Sequence, residues 1–381
     1  MIPDPRPIRA LLDPSHETFA AEAAAFAARE IALRTPAATD AAARTEARAI
    51  LAALGAGRML EPIRRGDWRA CCLAREALAA ASPLADAVFA LQGLGTLPLL
   101  ITGSAAGARL AEEAIAGRAM SAFAMTESEA GSDVASLRTR ARKDGGDYVL
   151  DGAKSYISNA GIADFYVVFA STDPEARGKG ISAFLVPADA PGLRFAGAQV
   201  LSAPHPLGEL MFEGCRIPAA NLLGEEGRGF ALGLKTLDRM RATVGAAACG
   251  MAARGVHEAA AHARARTQFG KPLAEFQLVQ EKIARMATDL DAARLLVYRA
   301  AWEADHGAER VTMEAAMAKS FATEAAQRIV DDAVQILGAR GVLADHPVDR
   351  LYRAVRALRI YEGTTEIQHL VIAGQVLQGE R

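Results

Sequence analysis

Four long segments with helical spacing run from about residue 223 to the end of the chain, and they limit the fold more than any other feature. They cover 230–266, 273–306, 313–337 and 348–377, the third with Ala316, Phe321, Ala325, Ile329, Val334 and Ile336 as apolar residues. Thirty helical residues span roughly 45 Å, and four such helices joined by short loops pack as an antiparallel bundle. Residues 1–118 are also helical in texture, rich in Ala, Leu, Arg and Glu. Asp13-Pro14-Ser15 marks a helix start there, and the Ala-rich stretches 20–28 and 74–81 are good helix formers.

The region between them changes character. Tyr148-Val149-Leu150, then Asp151-Gly152, then 153–158 predict a hairpin, because Asp-Gly suits a type I′ turn. Residues 165–169 and 181–186 read as buried strands and 209–213 as a shorter one. The expected class is α+β, mainly α. It comprises an N-terminal helical domain over 1–118, a middle β-barrel-like or β-sandwich domain over 119–222, and a C-terminal four-helix bundle over 223–381. That order fits neither a Rossmann fold nor a barrel. No Walker A motif and no Gly-x-Gly-x-x-Gly after a strand is present, so a nucleotide-like cofactor must be held another way.

Composition narrows the function classes. At 381 residues the chain is too long for one simple core, and two or three packed units are expected. Forty-three Lys and Arg against 45 Asp and Glu give no basic field for nucleic acid. Cys71, Cys72, Cys215 and Cys249 have no zinc-site spacing and read as reduced thiols in a cytoplasmic protein. Met1-Ile2-Pro3-Asp4-Pro5 lacks a signal-peptide pattern, and no run of about eighteen uncharged apolar residues predicts a membrane helix. His16, His205, His257, His262, His306, His346 and His369 show no paired metal spacing and read as structural or exposed. Ser-His-Asp hydrolysis has no nucleophile elbow to support it.

Tyr361-Glu362-Gly363-Thr364-Thr365-Glu366-Ile367-Gln368 places a carboxylate at a helix break. Gly363 is a helix stop, and Thr365 with Gln368 has the spacing of a capping box that starts a second helix. Glu362 is then expected in the last turn of the first helix, where the macrodipole disfavours an anion and raises its pKa, as a general base needs. Alternatively it is a solvated glutamate beside an ordinary kink. Three further segments carry polar chemistry. Ala124-Met125-Thr126-Glu127-Ser128-Glu129-Ala130-Gly131-Ser132-Asp133 is a loop of hydroxyls and backbone amides, or a capping box at Thr126 with Glu129. Lys154-Ser155-Tyr156-Ile157-Ser158-Asn159 lies in the second strand of the expected hairpin. Arg266-Thr267-Gln268-Phe269-Gly270-Lys271-Pro272-Leu273 joins two bundle helices, where an Arg beside an aromatic can grip a pyrophosphate and stack an adenine.

In their order, these segments together with Gln335-Ile336-Leu337-Gly338-Ala339-Arg340-Gly341 resemble the FAD-dependent acyl-CoA dehydrogenase family. The resemblance runs from about Ala105 to the C-terminus and is weakest in the first hundred residues. It implies that Met125, Thr126 and Ser132 meet the flavin or the acyl thioester. Tyr156 stands where the family usually has Trp, beside the isoalloxazine with Ile157, while the Ser158 hydroxyl reaches toward flavin N5. Arg266, Gln268 and Phe269 hold the FAD of a neighbouring subunit, which makes the site depend on oligomerisation. Gln335, Gly338, Thr364 and Glu366 complete the cofactor set, and Gly338-Ala339 replaces the usual pair of glycines. Ser132, Arg241 and Gly363 are implied on the substrate. Some family members carry the base on the first bundle helix, where Met240 stands here, so Glu362 is the candidate.

The implied reaction is α,β-dehydrogenation of an acyl-CoA thioester. Glu362 takes the α-proton while hydride leaves Cβ for flavin N5, and the thioester oxygen is held by the Glu362 N–H and the FAD ribityl 2′-hydroxyl. The expected partners are acyl-CoA, an electron-transferring flavoprotein as acceptor, and further copies of the chain as a homotetramer, a dimer of dimers. Neither nucleic-acid binding nor membrane insertion is expected. Open alternatives on the same fold are a carrier-protein-linked acyl dehydrogenase, a decarboxylating dehydrogenase, a desulfinase, and a flavin-bearing DNA-binding relative; nitroalkane oxidation uses an aspartate base. Two departures bear on substrate: Leu201-Ser202-Ala203-Pro204-His205-Pro206-Leu207-Gly208 lacks the family's Gly-x-Arg pattern, and 61–68 is shortened.

Overall fold

The computed structural model describes residues 4–379; Met1–Pro3 of the N-terminal reading lie outside them. The helices before the sheet are α1 (Pro14–Phe26), α2 (Asp40–Ala56), α3 (Glu61–Arg65), α4 (Trp68–Ala81), α5 (Pro83–Thr102) and α6 (Ala108–Ile115). The strands follow: β1 (Ser121–Ala124), β2 (Arg140–Asp144), β3 (Asp147–Ser158), β4 (Phe165–Ser171), β5 (Ile181–Pro187), β6 (Leu193–Ala198) and β7 (Leu207–Pro218). The chain then returns to helix in α7 (Gly229–Ala265), crosses a small hairpin of β8 (Thr267–Gln268) and β9 (Lys271–Pro272), and ends in α8 (Gln277–Asp305), α9 (Thr312–Leu337), α10 (Pro347–Leu358) and α11 (Thr365–Gln378). The α+β, mainly α class is therefore as expected: N-terminal helices, a sheet in the middle, C-terminal helices.

Contacts divide the chain into two units that interleave in sequence. One holds the residues up to 34, 66–86 and 241 onward; the other holds 35–65 and 87–240. In the helical unit α9 packs against α8, α10 and α11, and α4 against α1 and α8. Its core contains charges as well as apolar side chains. Arg75 donates to Asp86 through Nε (2.7 Å) and Nη2 (2.9 Å) and to Thr243 Oγ1 (2.8 Å). Arg294 Nε (2.8 Å) and the Tyr298 hydroxyl (3.1 Å) both donate to Glu76. Buried ions need such complete pairing, since removing one partner strands the other in a low dielectric.

The other unit is built on a seven-stranded sheet of order β1-β4-β2-β3-β7-β6, with β5 added on β4. Alternation along β4 buries both faces. Tyr166 and Val168 pack with Tyr148, Leu150, Phe184 and Phe212, while Phe165, Val167 and Phe169 pack with Leu99, Leu223 and Leu232.

Two expectations change here. Asp151-Gly152 is not a hairpin turn: β3 runs unbroken through it, and the turn to β2 is at Gly145-Gly146. Gly152 marks a register shift against β7 instead, and a Cβ there would lie 2.7 Å from Thr139 Cα. Glycine served close backbone approach rather than a turn. Secondly, Pro83–Thr102 is long and apolar enough to cross a membrane, against the reading that no such run exists, but 78% of its apolar window is buried inside the protein, as in a core helix.

Candidate active site

The break between α10 and α11 is a tight reversal. Ile360 and Tyr361 N–H groups both donate to the Ala357 carbonyl (2.9 and 3.2 Å), and the Thr365 N–H reaches back to Arg359 (3.1 Å). Glu362 has φ +54° and Gly363 φ +91°. Glu362 therefore stands outside the last helical turn, which closes at Leu358, and not within it as expected. The new helix is capped by Thr364, one residue earlier than read. Its extended backbone (φ −61°, ψ 164°) lets Oγ1 accept from the Ile367 N–H (3.4 Å). Thr365, already helical, donates instead to Glu324 Oε1 (2.8 Å). Gln368 turns back and donates through Nε2 to the carbonyls of Glu362 (3.2 Å) and Gly363 (3.0 Å). A Cβ at Gly363 would lie 2.4 Å from that nitrogen.

Cations surround this reversal. Arg241 Nε donates to the Glu362 carbonyl (3.3 Å) and Lys319 Nζ to that of Gly363 (2.7 Å). Glu362 Oε2 is buried with no hydrogen-bond partner among the described residues. Burial raises the carboxyl pKa, opposed by the positive charges of Arg75, Arg241 and Lys319 and assisted by Asp86. Burial also pulls Lys319 down to about 8. Among the described residues nothing accepts from the Glu362 N–H. The geometry offers a basic carboxylate and an unused amide donor on the same residue. Thr364 is half-buried at the cap and Glu366 exposed in the first turn of α11.

In the sheet unit, the loop after β1 is fastened from below. Glu127 and Ala130 exchange backbone hydrogen bonds (3.1 and 3.2 Å), so the loop is a turn and not a capping box at Thr126. The Glu127 carboxylate accepts from the Arg138 (2.6 Å) and Thr139 (2.9 Å) amides and pairs with buried Lys154 (2.8 Å), whose Nζ also reaches the Met125 carbonyl (3.2 Å). The Ser155 N–H donates to the Thr126 carbonyl (3.0 Å), which joins this loop to β3. Met125 is buried, Thr126 half-buried and Ser132 exposed.

Tyr156 sits at the second irregularity of β3 with φ +57° and is 59% exposed, while Ile157 beside it is buried. Its N–H donates to Gln199 Oε1 (2.7 Å). The Ser158 hydroxyl lies 2.7 Å from His205 Nε2. His205 had read as structural or exposed; its contact with Ser158 had no signal in the sequence beyond its place in the segment that departs from the family pattern.

The Arg266 segment folds as a two-residue hairpin between α7 and α8. Phe269 (φ +49°) and Gly270 (φ +79°) form its tip, and Phe269 is 94% exposed. Arg266 and Gln268 are also exposed. Gln335 is exposed near the end of α9, and Gly338 (φ +60°) follows with open space where a Cβ would stand. Among the described residues six non-glycine positions have positive φ, and Tyr156, Phe269 and Glu362 are three of them. Backbone strain collects at functional sites, where surrounding structure holds it.

Comparison with known proteins bears on the fold and the family. The family model for the acyl-CoA dehydrogenase middle domain matches residues 122–215, and that for the C-terminal domain matches 227–377. The cyclohexane-1-carbonyl-CoA dehydrogenase of Geobacter metallireducens is 39% identical over 310 residues, 81% of each chain. The mitochondrial short-chain specific acyl-CoA dehydrogenase of Mus musculus is 45% identical over 265 residues, 68% of this chain and 63% of the other. The structure of butyryl-CoA dehydrogenase from Megasphaera elsdenii superposes with a TM-score of 0.88 at 31% identity, over 96% of this chain and 99% of that one.

Proposed function

This chain belongs to the FAD-dependent acyl-CoA dehydrogenase family of oxidoreductases, and on that footing we propose that Glu362 is the base that removes the α-proton of its acyl-CoA substrate. The observation that carries this reading is the Glu362 carboxylate itself, whose buried Oε2 has no partner among the described residues and sits on a strained backbone. An α-proton beside a thioester is a weak acid. Burial lifts the carboxylate's pKa toward that of the proton it takes. The unused Glu362 N–H donates to the thioester oxygen as charge develops there, and Arg241 and Lys319 hold the two carbonyls that follow it, those of Glu362 and Gly363, so that the amide stays aimed.

The chain's groups suit FAD. Thr126, Ser132 and Ser158 offer hydroxyls, Tyr156 an aromatic face held outward, Arg266 and Phe269 an exposed cation and ring, and Gly338 an open stretch of backbone. Gln268, Gln335, Thr364 and Glu366 add polar contacts, and Ser132 and Gly363 line the substrate. FAD supplies the acceptor for the hydride that leaves Cβ. Phe269 stands fully outward, which suits a ring that meets the cofactor of a second copy in a homotetramer. An electron-transferring flavoprotein takes the electrons onward.

Anaerobic titration of the yellow protein with a panel of acyl-CoA esters tests the reading. One class of ester should bleach the oxidised flavin band. Glu362→Gln should keep FAD yet lose turnover by roughly 10²–10⁴-fold. Near-normal turnover in that variant would remove Glu362 from the mechanism.

A further inference from the structure

We propose that His205 is a positioning residue for Ser158: its ring donates to the Ser158 hydroxyl oxygen and so leaves the serine's own proton free to be given to the flavin. The inference rests on the reading above that Ser158 meets the cofactor.

The segment from Gln199 to Glu209 grips the end of β3 at Ser155, Tyr156, Ser158 and Asn159. Gln199 accepts from the Tyr156 N–H (2.7 Å), and its Nε2 donates to Glu209 Oε1 (3.0 Å), which also accepts from Ser155 Oγ (3.0 Å). The Asn159 N–H donates to the Pro206 carbonyl (2.9 Å). His205 is seated within this clamp between Pro204 and Pro206. Its Nε2 lies 2.7 Å from Ser158 Oγ, and its Nδ1 is buried with no partner among the described residues.

That asymmetry selects the tautomer. A neutral imidazole carries one N–H. If the proton sat on Nδ1, a buried N–H would be unmet; on Nε2, only an acceptor lone pair is unmet, which is the lesser cost. The proton therefore belongs on Nε2, pointed at Ser158. The charged groups facing the ring are Arg44 and Asp40. Arg44 is tied to Asp40 (2.6 Å) and to the carbonyls of Ala160 (2.6 Å) and Leu207 (2.7 Å). Burial, then the Arg44 charge, hold the ring pKa down at about 4, so the ring stays neutral at ordinary pH. Ser158 accepts from His205 and keeps its O–H for another acceptor. Oxidised flavin N5 is such an acceptor, and a hydrogen bond there alters the flavin's reduction potential.

The test uses purified holoenzyme and measures the flavin reduction potential by dye equilibration, with thermal midpoints alongside. Ser158→Ala and His205→Phe should shift the potential in the same direction, and the double variant should shift it no further than the larger single change. His205→Gln, which carries a donor to the Nε2 position, should restore the wild-type potential; His205→Asn, which is too short, should not. A shifted potential in Ser158→Ala with a wild-type value in both His205→Phe and His205→Asn would overturn the role of His205 alone. An unshifted potential in Ser158→Ala would overturn the placement of Ser158 on the flavin, and the inference with it. If His205→Phe fails to fold, the Gln and Asn pair decides.

Discussion

Replacing Gly363 by Ala would set a methyl group 2.4 Å from Gln368 Nε2, the atom that holds both the Glu362 and Gly363 carbonyls. Two costs add. Alanine at φ +91° gives up about 1–2 kcal/mol in the left-handed region. Gln368 is fully buried and must move, and its two hydrogen bonds are worth about 0.5–1.5 kcal/mol each. The sum is about 2–5 kcal/mol of stability. Gly145→Ala is the matched control, with φ +63° and nothing within 4 Å of the added methyl, so it bears the first cost only. The same displacement moves Glu362, the proposed base, and a misplacement near 1 Å costs on the order of 10²-fold in rate. Urea denaturation of the two variants gives the stability difference, and anaerobic mixing with substrate gives the rate of flavin bleaching. Equal destabilisation by the two substitutions, with bleaching by Gly363→Ala at the wild-type rate, would refute the claim that Gln368 and Gly363 together place Glu362.

The pH dependence of bleaching should follow Glu362. Burial raises its pKa above the ordinary 4.5, so the ionised base is lost as pH falls through that raised value; a bleaching rate still undiminished at pH 4.5 would contradict the assignment. Lys154→Met leaves the buried Glu127 carboxylate without its counter-ion, which costs about 3–5 kcal/mol, whereas Lys154→Met with Glu127→Gln should recover part of it. A single-variant loss below about 1 kcal/mol in urea would show the pair to be ornamental. Phe269→Ala should leave the chain's own stability unchanged, because the ring is 94% exposed, while sedimentation shows a smaller assembly and gel filtration a lower FAD content. Unchanged assembly and FAD content would move the cofactor contact elsewhere.

The sequence alone carried the helical, β, helical order, because amphipathic spacing and strand-like apolar runs are local properties of the chain. It also located Glu362 and the helix break, since glycine and threonine mark a stop and a start wherever they fall. It did not distinguish a glycine that turns the chain from one that admits a neighbour. Gly152 read as a turn because Thr139, which occupies the space a side chain would need, is distant in sequence. The cap moved from Thr365 to Thr364 for a similar reason: which threonine takes the extended backbone depends on the left-handed pair before it and on Glu324, 41 residues before Thr365. Three site properties exist only in the folded chain. These are the buried oxygen of Glu362 that has no partner among the described residues, the cations Arg75, Arg241 and Lys319 drawn from three separate stretches, and the meeting of His205 with Ser158. Local chemistry fixes which residues can act. Burial and long-range contact fix their protonation and aim, because both depend on what the rest of the chain excludes from water.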